Sequence, residues 1–317
     1  MIGAGIVAAG ASLLGAATAA AANLFTNVAM NRKVPKFLEK AGKKKQLQGY
    51  EMTSDFMTQL GESGKLLKSQ PHEIVQITGY DGVKLVGHWF PGKNPKRVMV
   101  AMHGWRSSWD RDFGYCRSFY EENDCSVLYA EQRGQGLSEG EYIGFGLTER
   151  YDCRDWAKWV ARRVGPDMPI FLTGISMGAT TVLMAAGLKL PENVRGVIAD
   201  CGFTSPEAIW QHVAKNNLKI PYGVHGAFAK WMYKRRTKQA SDSYSTLDAM
   251  AHCKVPVLFA HGEDDHFVPV EMTYQNYQAC VAPKRMLIVP GADHGMSYPK
   301  QQQEYEQAVR EFWEEFG

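Results

Sequence analysis

The chain has 317 residues, 45% of them hydrophobic, enough to bury one sizeable core, and α/β architectures reach this length as a single domain. Its 36 basic and 33 acidic residues nearly cancel to a net charge of +3, which excludes the strongly basic balance of a nucleic-acid partner. The six cysteines (Cys116, Cys125, Cys153, Cys201, Cys253, Cys280) form no C-x-x-C pair, a pattern that favours reduced core thiols over a disulfide framework or a zinc site.

Residues 1–31 carry no ionisable side chain and are rich in Ala and Gly, with Ile2, Ile6, Val7, Leu13, Leu14, Leu24, Phe25 and Val28 interspersed. The segment is long enough to span a bilayer as an apolar helix, although those apolar residues contribute only about −2 to −5 kcal/mol to insertion. Positive charge follows it (Arg32, Lys33, Lys36, Lys40, Lys43, Lys44, Lys45) where a signal peptide would carry it in front. Anchoring is therefore expected over cleavage, and the positive-inside rule places the body on the cytoplasmic side. The competing expectation is a helix of small residues that packs on the domain or on a second copy. A charged, helix-prone linker covers 32–70 and leads into the catalytic domain, 71–317.

The domain opens with the strands Glu73–Thr78 and Val83–Phe90 around Asp81-Gly82, a hairpin turn signal. Six further strands are predicted: Arg97–Met102, Ser126–Ala130, Ile170–Thr173, Gly196–Ala199, Val255–Ala260 and Arg285–Val289. Near-continuous apolar runs such as Val-Met-Val-Ala-Met suit strands covered on both faces, as in a parallel sheet. Helices are predicted over about 113–122, 147–164, 177–188, 270–281 and 301–316, a doubly wound α/β pattern. The stretch 205–250 breaks the alternation. It is aromatic (Trp210, Tyr222, Phe228, Trp231, Tyr233) and too long for a simple crossover, so a small lid over the site is expected. Its basic run Lys230–Lys238 reads equally as part of that lid or as a solvated face.

The sharpest chemical signal is Gly174-Ile175-Ser176-Met177-Gly178, after the apolar run Pro169-Ile-Phe-Leu and before the small residues Ala179 to Gly187. A nucleophile elbow needs this order, because the serine occupies a tight strand-to-helix turn where flanking side chains would collide. The following helix offers its first N–H groups to an anion beside Ser176. A serine hydroxyl also needs a base. His294, in Pro290-Gly291-Ala292-Asp293-His294-Gly295 after the last strand, is the candidate. A carboxylate that fixes the imidazole is sought after the preceding strand, in His261-Gly262-Glu263-Asp264-Asp265-His266. Spacing alone does not choose among Glu263, Asp264 and Asp265. A metal reading of His261, Asp264, Asp265 and His266 is disfavoured, since the cluster lacks a second ligand group. Oxyanion donors are expected from the backbone N–H groups of Met177 and Trp105, the latter in the loop His103-Gly104-Trp105-Arg106.

With these pieces in order the chain resembles the α/β-hydrolase superfamily, in particular membrane-anchored bacterial esterases and serine-aminopeptidase-like hydrolases. The resemblance runs from about Glu73 to the C-terminus. It rests on His103-Gly104, Glu131-Gln132-Arg133-Gly134-Gln135-Gly136-Leu137-Ser138, the elbow, Asp200-Cys201-Gly202-Phe203-Thr204-Ser205, and His261, Gly262, Asp265, Val268 and Pro269. It implies a mostly parallel eight-stranded sheet flanked by helices, and its alignment selects Asp265. The family usually has Asp where Glu131 stands, at a structural position. Arg133 to Gly140 lacks the Lys-Ser/Thr of a phosphate loop and reads as a turn that braces the oxyanion loop.

The expected function is hydrolysis of a carboxylic ester, a small-molecule acyl substrate, through an acyl-Ser176 intermediate and without a cofactor or metal. Peptide, amide or thioester cleavage and acyl transfer use the same triad. A non-catalytic membrane-bound binding protein would show loss of a triad position, and none is lost; an aspartate nucleophile for haloalkane or epoxide hydrolysis is excluded by Ser176.

Overall fold

A computed structural model describes residues 20, 22–33 and 54–317 of the chain. The first two strands, β1 (Glu73–Thr78) and β2 (Lys84–Phe90), form the expected hairpin, with Gly82 at φ +86° in the turn where a side chain would be strained. The remaining strands are β3 (Arg97–Met102), β4 (Cys125–Ala130), β5 (Ile170–Ile175), β6 (Val194–Asp200), β7 (Val257–Gly262) and β8 (Lys284–Val289). They build one eight-stranded sheet in the order β1-β2-β4-β3-β5-β6-β7-β8, antiparallel at β1–β2 and β2–β4 and parallel elsewhere.

Period-2 alternation explains why the central strands read as continuous apolar runs. Val98, Val100 and Met102 of β3 face one core with Leu128 and Ala130 of β4, while Met99, Ala101, Val127 and Tyr129 face the other. The helices Glu149–Val164 and Met177–Ala186 cover the first face through Trp156, Val160, Val182 and Leu183. The helix Gln302–Phe316 and the segment from Trp109 to Glu122 cover the second, through Phe312, Trp313, Trp109 and Phe119. Each such large apolar side chain contributes about 1.5–3 kcal/mol by leaving water. All six cysteines are buried free thiols, as the spacing implies.

Several boundaries move for local reasons. The helical segment before β4 starts at Trp109 rather than Phe113, because Trp109 is buried among His88, Phe90 and Tyr129, and a 3₁₀ turn, Gly114–Cys116, divides it. Strand β5 continues to Ile175, since its pairing with β6 runs on to Asp200. The linker region contributes a helix, Ser54–Ser69, that packs on the body with Leu67 in the core and Gly64 close against Asp110. The 205–250 insertion is helical: Pro206–His212, a π-helical stretch Val213–Asn217, Gly223–Thr237 and Thr246–Met250. Ser205 caps the first of these by accepting the Ala208 N–H at 3.1 Å, with Pro206 at the first helical position.

Most of the apolar N-terminal segment and half of the 32–70 linker lie outside the described residues. Residues 22–30 are helical and lie on the catalytic domain with Thr26 and Met30 fully buried. That part packs on the domain, as the competing expectation has it. Among the described residues no helix is long and apolar enough to cross a membrane. Arg32, read from sequence as part of a topogenic cluster, instead directs its guanidinium at the carbonyls of Gly136 and Ser138.

Candidate active site

The elbow forms where β5 meets its helix. Ser176 adopts φ +58° and ψ −118°, a conformation that a non-glycine residue holds only when its surroundings force it. The forcing elements are visible. A Cβ on Gly178 would collide with the carbonyl of Met102 at the end of β3, and one on Gly174 would collide with the backbone of Gly178. Only glycines let strand, turn and helix approach this closely, which is the physical content of the G-x-S-x-G spacing.

Three loops from three strand ends then meet. His294 Nε2 lies 2.8 Å from Ser176 Oγ, and His294 Nδ1 lies 2.7 Å from Asp265 Oδ2. The carboxylate contact assigns the proton to Nδ1, leaving Nε2 to accept from the serine hydroxyl. Asp265, buried to 8% exposure, accepts four hydrogen bonds. The N–H groups of Phe267 and Val268 reach Oδ1 at 2.8 Å each, and His261 Nε2 and His294 Nδ1 reach Oδ2. Burial opposes its charge, but the neighbouring His294 and the hydrogen bonds from His261 and His294 win and hold its pKa well below the usual carboxylate range. Glu263 and Asp264 are exposed and belong to no such cradle, which is the physical reason Asp265 alone among the three reaches the imidazole. Burial also opposes an imidazolium at His294, yet the Asp265 carboxylate raises its pKa well above the ordinary value.

Sequence reasoning missed two neighbours. His261 was considered as a metal ligand; it bridges Thr273 Oγ1, Asp265 Oδ2 and the Val268 carbonyl and so locks the acid loop. Cys201, at φ +49° after β6, offers its sulfur within 4.8 Å of donor atoms of both His294 and Asp265. Burial pushes its thiol up to about 11, so it stays protonated and is no rival to the serine. The motif Asp200-Cys201-Gly202 marks the position after β6, but nothing in it says the thiol meets the imidazole.

The loop in which the second oxyanion donor is expected, His103-Gly104-Trp105-Arg106, follows β3. Gly104 donates its N–H to Asp112 Oδ2 at 2.6 Å, and a Cβ there would stand 3.5 Å from that of Ser176, so the loop lies directly against the nucleophile. The N–H of Met177, first in its helix, and the N–H of Trp105 are engaged by no acceptor among the described residues. The brace expected from the Arg133 to Gly140 region is present: Gln132 N–H donates to His103 Nε2 at 3.1 Å and Arg106 N–H to Gln135 Oε1 at 2.6 Å. Glu131 is structural, joined to His88 Nε2 at 2.9 Å and to the Leu137 N–H. The lid lines one side of a cavity of about 720 Å³ over Ser176, with Trp105, Phe145, Phe203, Ile209 and Trp210 on its walls.

A buried serine, a half-buried imidazole and a buried carboxylate in hydrogen-bonded series at the C-terminal edge of this sheet define a serine hydrolase of the α/β-hydrolase superfamily. The chain belongs to the prolyl oligopeptidase family, whose pattern matches residues 122–316, a stretch that contains Ser176, Asp265 and His294. It is 27% identical over 252 residues to the uncharacterized protein YqkD of Bacillus subtilis, covering 79% of this chain and 81% of that one. Among solved structures its fold is similar to the Pyrococcus furiosus esterase Pf2001 (TM-score 0.65, 22% identity, 78% of this chain and 92% of that one). It is also similar to the Pyrococcus horikoshii acylaminoacyl peptidase (TM-score 0.57, 17% identity, 80% and 43%).

Proposed function

We propose that the chain hydrolyses carboxylic esters of apolar acyl groups, with Ser176 as nucleophile, His294 as general base and acid, and Asp265 as the group that orients and stabilises the imidazolium. The observation that carries this reading is the Ser176–His294–Asp265 series opening into an apolar cavity of about 720 Å³, within the size range of small-molecule sites. Ser176 Oγ adds to the ester carbonyl as its proton passes to His294 Nε2. The resulting oxyanion is received by the N–H groups of Met177 and Trp105, each such donor being worth about 100- to 1000-fold in rate. His294 returns the proton to the departing alkoxide, leaving an acyl-serine. Water then repeats the sequence with His294 as base and frees the acid.

The chemistry of the walls favours an ester over a peptide with a free amino end. Among the described lining residues the only carboxylate is Asp265, already engaged by two histidines, so no anionic group is left to receive an ammonium. The family and the acylaminoacyl peptidase likeness keep amide cleavage as the second reading. Turnover of p-nitrophenyl esters beside blocked and unblocked peptide p-nitroanilides separates the two. Esters are expected to turn over faster, with Ser176→Ala losing on the order of 10⁶ in kcat. Faster cleavage of the anilides would replace the ester reading. Membrane association through the N-terminal segment belongs to the same proposal. With 22–30 docked on the domain, an anchor would be drawn from residues 1–21, close to the about 20 residues a span needs. Recovery in the membrane fraction after an alkaline wash is the expected result, and release would remove the anchor.

A further inference from the structure

One wall of the cavity over Ser176 comes from outside the sheet and its helices. Phe25, Val28 and Ala29 line it, and they share one face of the 22–30 helix because positions three and four apart lie one above the other. Phe25 packs edge-on against Trp210 of the lid, with ring centroids 6.3 Å apart and planes at 88°.

The backbone behind this face is held at several points. The Trp105 indole donates to the Ala29 carbonyl at 2.8 Å, and Arg106 Nη2 donates to the carbonyls of Val28 and Asn31 at 2.6 and 2.5 Å. Arg236 of the helix Gly223–Thr237 donates to the Thr26 carbonyl at 3.1 Å, and the Ile143 N–H donates to the Met30 carbonyl at 2.7 Å. Thr26 and Met30, on the opposite side, are fully buried. Phe25 and Val28 are therefore presented to the cavity by a fixed support, from both sides of which the polar backbone is satisfied.

We infer that Phe25 and Val28 are specificity-determining residues, which set the length and width of the acyl group the site accepts. The inference rests on the reading of the cavity as an acyl site. A straight, saturated acyl chain lying between this wall and Ile209 and Trp210 would meet apolar side chains there. Removing side-chain volume at position 25 lengthens the accepted chain, and adding it at position 28 shortens it.

The test uses the full-length protein and a series of alkyl fluorophosphonates from ethyl to dodecyl. Each forms a bond between Ser176 Oγ and phosphorus while the P–F bond breaks, fluoride leaving as His294 takes the serine proton, so labelling reads the pocket without requiring an ester substrate. The readout is the ratio of inactivation rates, dodecyl over ethyl. Val28→Trp is expected to lower it by roughly tenfold or more and Phe25→Ala to raise it, on the scale an apolar pocket achieves for small changes in chain size. Val28→Leu supplies a milder shift in the same direction as Val28→Trp. Damaged folding slows all probes together and cannot move the ratio in two directions. An unchanged ratio in the three variants, or shifts of one sign in both Val28→Trp and Phe25→Ala, would overturn the inference. A wild-type protein that discriminates the phosphonates yet cleaves no ester would support the wall and overturn the ester reading.

Discussion

Asp265 concentrates most of the electrostatics of the site. Its four donors stabilise the anion, and the anion in turn raises the pKa of His294 against the opposing effect of burial. The nucleophile can be activated only while His294 is neutral. Ester turnover should therefore rise with pH through a midpoint above the unperturbed histidine value of about 6.5. Asp265→Asn removes the carboxylate that raises this pKa and leaves burial, which lowers it. The expected result is a midpoint displaced to lower pH together with a loss of about 10⁴ in kcat, as the imidazole loses the partner that fixes its tautomer. A pH profile of kcat/KM for wild type and variant checks both, and an unmoved midpoint would remove Asp265 from the role. At this scale the sequence was legible where the constraint is local. Ser176 needed only its glycines, and His294 only its place after the last strand. Asp265 was not separable from Asp264 by spacing, because what distinguishes them is burial and the two N–H groups of Phe267 and Val268. His261 escaped because its role depends on a loop folding back onto its own strand.

Elements meet at this site with little room to spare, and two of the meetings have measurable consequences. Strand β3, the elbow and its helix converge so closely that a methyl group at position 178 has no space beside the Met102 carbonyl. Gly178→Ala is expected to cost at least about 1–3 kcal/mol, the usual range for overpacking, and to abolish phosphonate labelling as the turn is displaced. Thermal unfolding beside labelling tests this, and retention of both would mean that the elbow tolerates a side chain. The second meeting joins the loop after β4 to the helix Glu149–Val164. Arg133 forms paired bonds to Asp152 at 2.6 Å each and a further bond to Asp81 at 2.7 Å. Burial works against its charge, but these carboxylates keep it protonated above its ordinary pKa. Arg133→Met strands the buried Asp152 carboxylate and is expected to lose about 3–5 kcal/mol in urea unfolding, whereas the exposed pair Lys96–Asp124 should give a small fraction of that when broken. Elements were the most legible level. The strands were readable because the central ones carry near-continuous apolar runs covered on both faces and the first pair flanks a turn signal, and the errors fell at ends fixed by tertiary contacts, such as the burial of Trp109.

Across the whole molecule the least legible feature is the relation between the chain's beginning and its active site. Composition made 1–31 an apolar helix with a basic flank, read first as an anchor, with a docked helix as the alternative. The docking of residues 22–31 depends on their carbonyls meeting Trp105, Arg106 and Arg236, contacts between positions 75 to 210 residues apart that no local pattern encodes. These contacts carry a consequence for the fold as a unit. Ala29 and Met30 belong to the same buried cluster as Phe145, Met177, Phe203 and Trp210, so the N-terminal segment covers apolar surface over the elbow. Deleting residues 1–33 uncovers that cluster and frees the two oxyanion-loop side chains, Trp105 and Arg106, from their acceptors. Loss of even 2 kcal/mol of burial corresponds to a fall in Tm of about 4–8 °C for a domain of this size. The truncated chain is therefore expected to melt several degrees lower, to bind an apolar dye, and to turn over esters more slowly, because the Trp105 and Arg106 side chains lose the carbonyls that hold their loop beside Ser176. A segment serving only as a tether would leave Tm, dye binding and turnover in detergent unchanged when removed, and that outcome would separate the N-terminus from the catalytic unit.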